Sequence, residues 1–214
     1  ILEFAKKNKI KNLIIASSSS VYGLNKIKNG FKENQLVDKP MQIYSVSKIT
    51  NELMSFSYTY LNNMKIVALR FFSVYGPWGR PDMAVYKFCE SISKKKKIEL
   101  YNNGNNFRDY TYISDVVDGV IKTFKYIKKT KKNFTILNLG NSKTYSTKRL
   151  LFEIEKNLNK KAKVRFTVNL KEDILKTKSN LSKVRKLINY NPKVSLTVGI
   201  KKFTDWYIEY VQKK

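Results

Sequence analysis

Leu13-Ile14-Ile15-Ala16-Ser17-Ser18-Ser19-Ser20 and Lys65-Ile66-Val67-Ala68-Leu69-Arg70-Phe71-Phe72 each contain a short apolar run without polar alternation. Such runs read as strands buried on both faces of a parallel sheet. Between them, from Gln42 to about Asn63, apolar residues recur at helical spacing through Val46, Ile49, Leu53, Phe56 and Tyr60. Strand, long helix and strand make a βαβ unit, which builds parallel sheets through right-handed crossovers. The fold class is therefore α/β, built on part of a Rossmann-type doubly wound parallel sheet.

Working outward, Ile1, Leu2 and Ala5 read as the last turns of a helix. After the second strand comes a breaker-rich loop, Gly76-Pro77-Trp78-Gly79-Arg80-Pro81. The pattern then predicts a helix over 84–93, a strand over 98–101, a hairpin turn at Asn102-Asn103-Gly104-Asn105 and a strand over 110–113. A helix capped near Ser114 or Asp115 follows, carrying Val116, Val117, Val120, Ile121 and Phe124. A strand over 134–139, a helix over 146–158 with Ser146 as N-cap and a strand over 163–168 come next. Two helices close the chain, about 182–188 and 196–211, separated by the Asn191-Pro192 stop.

The 214 residues carry 37 Lys and 6 Arg, no histidine and one cysteine, Cys89, for a formal net charge of +27. A single cysteine excludes an intramolecular disulfide, and the lack of histidine excludes a Ser-His-Asp triad built from this chain. No metal site is expected. A pI near 10 raises nucleic acid as a partner. Yet base and bidentate phosphate readout favour arginine, so the Lys-Asn-Ile bias fits an AT-rich coding genome, and no specific nucleic acid is expected. No apolar run approaches membrane-spanning length, so no membrane partner and a cytoplasmic location are expected. Ile1-Leu2-Glu3-Phe4-Ala5 is unlike a signal peptide and lacks an initiator Met, so the sequence reads as cut from something longer.

In open parallel sheets, ligands sit beyond the carboxyl ends of the strands. Ser17–Ser20 and Ser73 lie at two such ends, and Tyr44 and Lys48 lie four apart on one helix face. Serine, tyrosine and lysine together can move a proton without histidine. A free phenol titrates near 10, and a neighbouring ammonium together with a cationic ligand favours the phenolate. A serine hydroxyl can hold the reacting oxygen and relay its proton.

At these residues the sequence resembles a family. Ser17-Ser18-Ser19-Ser20-Val21-Tyr22-Gly23, Tyr44-Ser45-Val46-Ser47-Lys48 and Arg70-Phe71-Phe72-Ser73-Val74-Tyr75-Gly76-Pro77-Trp78-Gly79-Arg80-Pro81-Asp82-Met83-Ala84 are similar to the extended short-chain dehydrogenase/reductases. Within these they resemble the NAD-dependent sugar-nucleotide epimerases/dehydratases, most of all the UDP-glucuronate 4-epimerase branch. Arg108-Asp109-Tyr110-Thr111-Tyr112-Ile113 and Asn189-Tyr190-Asn191-Pro192 fit downstream.

The resemblance implies NAD as cofactor, a UDP-sugar substrate, a homodimeric intact enzyme, and epimerisation through transient oxidation at C4. Tyr44 is then the catalytic base, Lys48 binds the nicotinamide ribose, and Ser18 hydrogen-bonds the sugar 4-hydroxyl. Phe71 and Val74 border the nicotinamide. Ser19, Ser20 and Ser73 face the sugar and its carboxylate, and Arg80 and Arg108 lie near the carboxylate and diphosphate. Asp173 contacts the uridine ribose and Tyr101 borders the uracil. Plainer readings stand beside several of these, with Arg80 as a loop anchor, Arg108 and Asp109 as an ion pair and Asp173 as loop decoration, while Trp78 reads as packing. Ser19 and Ser20 stand where 4,6-dehydratases carry Asp-Glu, which speaks against dehydration; UDP-galactose 4-epimerase and UDP-glucuronate decarboxylase share the triad. The family's Gly-rich dinucleotide turn is absent, so the chain is expected to lack the first Rossmann strands. Residues 1–76 are assigned to the NAD-binding domain and 77–214 mainly to a small mixed α/β substrate-binding domain, with 107–128 returning to the first. A sheet so shortened predicts aggregation of the isolated chain, and a non-catalytic fragment is the non-enzyme alternative.

Overall fold

The computed structural model describes residues 1–168 and 174–212. Its organising element is a three-stranded parallel sheet of β1 (Asn12–Ser18), β2 (Lys65–Phe71) and β7 (Phe134–Leu139), in that order. The register sets Ser17 beside Arg70, Ser18 beside Phe71, and Phe71 beside Leu139, so the three strands end level with one another. Helix α2 (Ile43–Asn62) makes the crossover from β1 to β2, as the βαβ reading requires. Helix α1 (Leu2–Lys7) precedes β1 and buries Ala5.

Ile66 through Arg70 of β2 are all buried. The expectation of two-sided burial fails for β1: Leu13, Ile14 and Ile15 are half-buried and Ala16 is exposed. The reason is position, since β1 pairs only with β2 in this sheet. A strand with one neighbour has one flank and part of each face uncovered.

Helix α2 also departs from its sequence pattern. Its apolar stripe points outward: Val46, Leu53, Phe56 and Tyr60 are exposed. The face turned to the sheet carries Ser45, Glu52, Ser55 and Thr59, all buried. Small hydroxyl side chains let the helix backbone lie close to β1 and β2, and they satisfy themselves locally: Ser55 Oγ donates to the Asn51 carbonyl (2.6 Å) and Thr59 Oγ1 to that of Phe56 (2.7 Å).

Helix α4 (Ile113–Lys129) packs on the opposite side of the pattern, on β1 and β2, and α6 (Ser182–Ile188) packs on α4 and β7. The expected cap at Ser114 or Asp115 is not used. The helix starts two residues earlier with Tyr112 at the N-cap position, and the Asp115 carboxylate instead accepts from Val194 N (3.0 Å).

The remaining elements form a second core. Helices α3 (Ala84–Ser93), α5 (Thr147–Leu158) and α7 (Leu196–Tyr207) enclose Val85, Cys89, Leu150, Ile154, Ile200 and Phe203. Ser146 caps α5 as predicted, its Oγ accepting from Arg149 N at 3.1 Å. Asn102–Gly104 does turn the chain, with left-handed Asn102 and Asn103, but no hairpin results. β4 (Lys97–Tyr101) pairs in parallel with β9 (Lys163–Thr167), and β6 (Tyr110–Tyr112) with β3 (Ser73–Tyr75). Residues after the turn are claimed elsewhere: the Asn106 carbonyl accepts from Thr147 N (3.0 Å), and β5 (Phe107–Arg108) pairs with β8 (Tyr145–Ser146). Among the described residues no helix is long and apolar enough to cross a membrane.

Candidate active site

Tyr44, Lys48 and Glu52 follow one another at intervals of four on α2, where each step rotates by only about 40°. All three therefore lie along one side of the helix, above the carboxyl ends of β1 and β2. Tyr44 is 51% exposed, at the rim, whereas Glu52 is buried at the foot of the row. Lys48 lies between them. Its Nζ donates to the Ala16 carbonyl (3.0 Å) and stands 5.6 Å from the centroid of the Tyr44 ring.

The row opens on a cavity of about 420 Å³ lined by Ser17–Ser20, Tyr44, Lys48, Phe71, Ser73, Arg80 and Arg108. Segments far apart in the chain thus meet around it. Ser18 Oγ accepts from Ser20 N (3.2 Å) and caps the short 3₁₀ turn Ser19–Tyr22, which gives the serines at the end of β1 a local role. Ser20 Oγ is buried and has no hydrogen-bond partner among the described residues. Arg80 is held in a fork by Asp82, with Nε at 3.0 Å from Oδ1 and a second contact between the guanidinium and Oδ2. That contact holds the exposed Asp82 carboxyl below the usual carboxylate range.

A second cavity of about 310 Å³ adjoins the first and shares Ser73, Met83 and Arg108 with it. Val74 and Tyr101 line this second cavity. The structure therefore separates Val74 from Phe71, beside which it was expected, because Phe71 ends β2 in the three-stranded sheet whereas Val74 lies on β3, which pairs with β6 instead. Tyr101 Oη donates to Glu99 Oε2 (3.1 Å), which pushes the phenol up. Asp173 lies outside the described residues.

Two polar clusters lie beside the cavity, the first unforeseen from the sequence and the second built on an Asp109 that the sequence offered only as a partner for Arg108. Arg70 is 1% exposed, and it donates through Nε to Glu52 Oε1 (2.9 Å) and through Nη2 to Oε2 (2.7 Å). Ser17 Oγ donates to the same Oε1 (2.5 Å), and the guanidinium lies 4.7 Å over the Tyr22 ring. Burial pushes the Tyr22 phenol up to about 12 although Arg70 pulls the other way. A charge inside an apolar strand and a glutamate one turn beyond Lys48 were the signals available. The second cluster centres on Asp109, fully buried. Its Oδ1 accepts from Asn141 N (2.6 Å) and Thr111 Oγ1 (3.2 Å), and Oδ2 from Ser142 N (3.0 Å), Ser179 N (2.8 Å) and Ser179 Oγ (2.6 Å). Asp109 ties β6, the end of β7 and the 177–180 segment together, while its neighbour Arg108 lines both cavities.

A cation-bearing ring with an attached ribose suits this donor set at one end. Tyr44 and Lys48 present a hydroxyl and an ammonium, and Phe71 gives an apolar wall. No Gly-rich strand-to-helix turn that could seat a pyrophosphate occurs in these 214 residues. Among the described residues no group of three His, Cys, Asp or Glu side chains could hold a metal ion.

The model of the NAD dependent epimerase/dehydratase family matches residues 1–140. An uncharacterized protein of Methanocaldococcus jannaschii is 47% identical over 209 residues, which cover 98% of this chain and 63% of that protein. A UDP-glucuronate 4-epimerase of Thermodesulfobacterium geofontis is 34% identical over 213 residues, covering 99% of this chain and 64% of that one. The chain thus spans less than two thirds of the length of these relatives. The crystal structure of the UDP-glucuronic acid 4-epimerase from Bacillus cereus, in complex with UDP-glucuronic acid and NAD, superposes with a TM-score of 0.87 at 31% identity, over 97% of this chain and 65% of that one.

Proposed function

The chain belongs to the NAD dependent epimerase/dehydratase family, and from that premise we propose that it carries the catalytic and sugar-binding part of a UDP-glucuronate 4-epimerase. The observation that carries this reading is one cavity lined by Ser18, Tyr44 and Lys48 together with Arg80 and Arg108. The named UDP-glucuronate 4-epimerases among its relatives support the choice of sugar.

Tyr44 takes the proton of the sugar 4-hydroxyl, with the Ser18 hydroxyl holding that oxygen and relaying the proton. Lys48 supplies the positive charge that a phenolate base needs beside it, and it can exchange the Ala16 carbonyl for a ribose hydroxyl. Bound NAD supplies the acceptor and later the donor of the hydride at C4. Tyr44 returns the proton when the 4-keto sugar is reduced on its other face. Ser19, Ser20 and Ser73 offer hydroxyls to the sugar and its carboxylate, and none of them supplies the acid-base pair that 4,6-elimination needs. Arg80 and Arg108 meet the carboxylate and the diphosphate, where a planar guanidinium fork suits oxyanions. Tyr101 and Val74 border the base in the second cavity, and Asp173 is assigned to the uridine ribose. The outward apolar stripe of α2 supports a homodimer.

The test is conversion of UDP-glucuronate with added NAD, followed by NMR of the sugar H4. UDP-galacturonate is the expected product, and Tyr44→Phe should lower its formation by at least ~10²-fold while UDP-glucuronate binding persists. Release of CO₂, or turnover of UDP-glucose in preference to UDP-glucuronate, would refute the assignment. Tight binding of UDP-glucuronate with no product at millimolar NAD would instead select binding without turnover.

A further inference from the structure

The chain has two tryptophans, Trp78 and Trp206, and they touch. Trp78 sits in the 76–83 loop between β3 and α3, 76% exposed, with φ at 61°. Left-handed backbone is rarely held by a bulky side chain unless the surroundings enforce it. Among the described residues it is the one aromatic with positive φ. Its ring centroid lies 5.4 Å from that of Trp206 on α7 and 5.8 Å from that of Tyr210, in the π-helical turn Ile208–Gln212 that continues α7. Trp206 in turn lies 5.4 Å from Phe203, which is buried in the second core. A ladder of rings therefore runs from that core to the tip of an exposed loop.

The other end of the loop reaches the cavity. Gly79 N donates to the Gly76 carbonyl (3.1 Å), and Met83 N to that of Arg80 (3.2 Å), so two tight turns transmit the position of residue 78 to residue 80. Gly76 is pressed against α4, since a Cβ there would lie 2.3 Å from Ile113 Cγ2. Arg80 lines the Tyr44 cavity and its partner Asp82 lines the adjoining one. The Arg80 side chain is itself 73% exposed, so the backbone of the loop decides where its guanidinium stands.

We propose that Trp206 and Tyr210 are positioning residues: by gripping Trp78 they hold the 76–83 loop so that Arg80 faces the anionic sugar across from Tyr44. The identity of that anion rests on the UDP-glucuronate reading above. The test is a double-mutant cycle by calorimetric titration of the full chain with UDP-glucuronate and, as a control, UDP. Trp206→Leu should weaken UDP-glucuronate binding by roughly threefold to tenfold, the scale of one aromatic contact, and Trp206→Phe should restore most of it. In an Arg80→Ala background the same Trp206→Leu change should have no further effect. Tyr210→Ala, at an exposed position, repeats the test should Trp206→Leu fail to fold. Equal losses in both backgrounds, or no loss in either, would overturn the proposal while leaving the functional reading intact. A wild-type chain that binds neither UDP-glucuronate nor UDP would overturn both.

Discussion

Truncating Glu52 to alanine removes both acceptors of the Arg70 guanidinium at a place where neither residue reaches solvent. The side chains of Arg70 and Glu52 are 2% and 6% exposed, and Nη1 of Arg70 already has no hydrogen-bond partner among the described residues. Stranding a buried charge in this way costs about 3–5 kcal/mol, and losing the acceptor of Ser17 Oγ adds about 1 kcal/mol. In a chain of this size each kcal/mol moves the midpoint by roughly 2–4 °C, so Glu52→Ala should melt about 10 °C or more below the wild type. The pair Glu52→Leu with Arg70→Met removes both charges and fills the space. It should recover most of the loss, because a buried ion pair is worth little against well-packed apolar groups. Urea denaturation of the wild type, Glu52→Leu, Arg70→Met and the double variant closes the cycle, with a coupling energy of at least about 2 kcal/mol expected. A cost below about 1 kcal/mol for Glu52→Ala, or a double variant as unstable as the sum of the singles, would refute the reasoning.

Asp109→Asn should cost roughly 1–3 kcal/mol, read by the same denaturation, because three backbone N–H groups converge on the two carboxylate oxygens and an amide NH₂ would oppose at least one of them. Cys89 is fully buried and its thiol is pushed up to about 12 by burial, so it should react with a thiol-specific dye only after denaturation; labelling of the native chain at the rate of a free thiol would contradict its placement. Leu53 and Tyr60 are 64% and 83% exposed on the outer stripe of α2, so sedimentation should show self-association that Leu53→Glu with Tyr60→Glu reduces without lowering the melting temperature.

How far the sequence was legible depended on whether a residue's neighbours lie close in the chain. The βαβ unit, the limits of α3 and β7, and the Ser146 cap follow from local patterns, and the structure reproduces them. The hairpin at Asn102–Asn105 failed because turn chemistry fixes only the bend. Which strands pair is decided by partners dozens of residues away, here β9 for β4 and β3 for β6. The candidate site was legible as residue types at strand ends and at helical spacing, and one cavity does gather Ser18, Tyr44, Lys48, Phe71, Ser73, Arg80 and Arg108. Val74 lines the adjoining cavity because β3, which carries it, leaves the sheet of β2 to pair with β6, a partner dozens of residues away.

Helix α2 shows most clearly why periodicity alone misleads. Its apolar stripe predicts which face avoids water, and in the described chain that face is the exposed one. What faces the sheet is instead selected by size and by charge. Ser45, Ser55 and Thr59 permit close approach, and Glu52 is drawn to the one arginine buried in β2. That electrostatic match has a consequence for the site, because a helix is rigid about its axis. The rotation that sets Glu52 on Arg70 also sets Lys48 against the Ala16 carbonyl and Tyr44 above the serine turn, each about 40° further round. The buried pair is thus better understood as the element that fixes the rotation of the catalytic helix than as a source of stability. The same argument explains why the serine run and the tyrosine-lysine pair, 27 residues apart in the chain between Ser17 and Tyr44, meet at one cavity without any contact between Ser18 and Tyr44 being needed to bring them there.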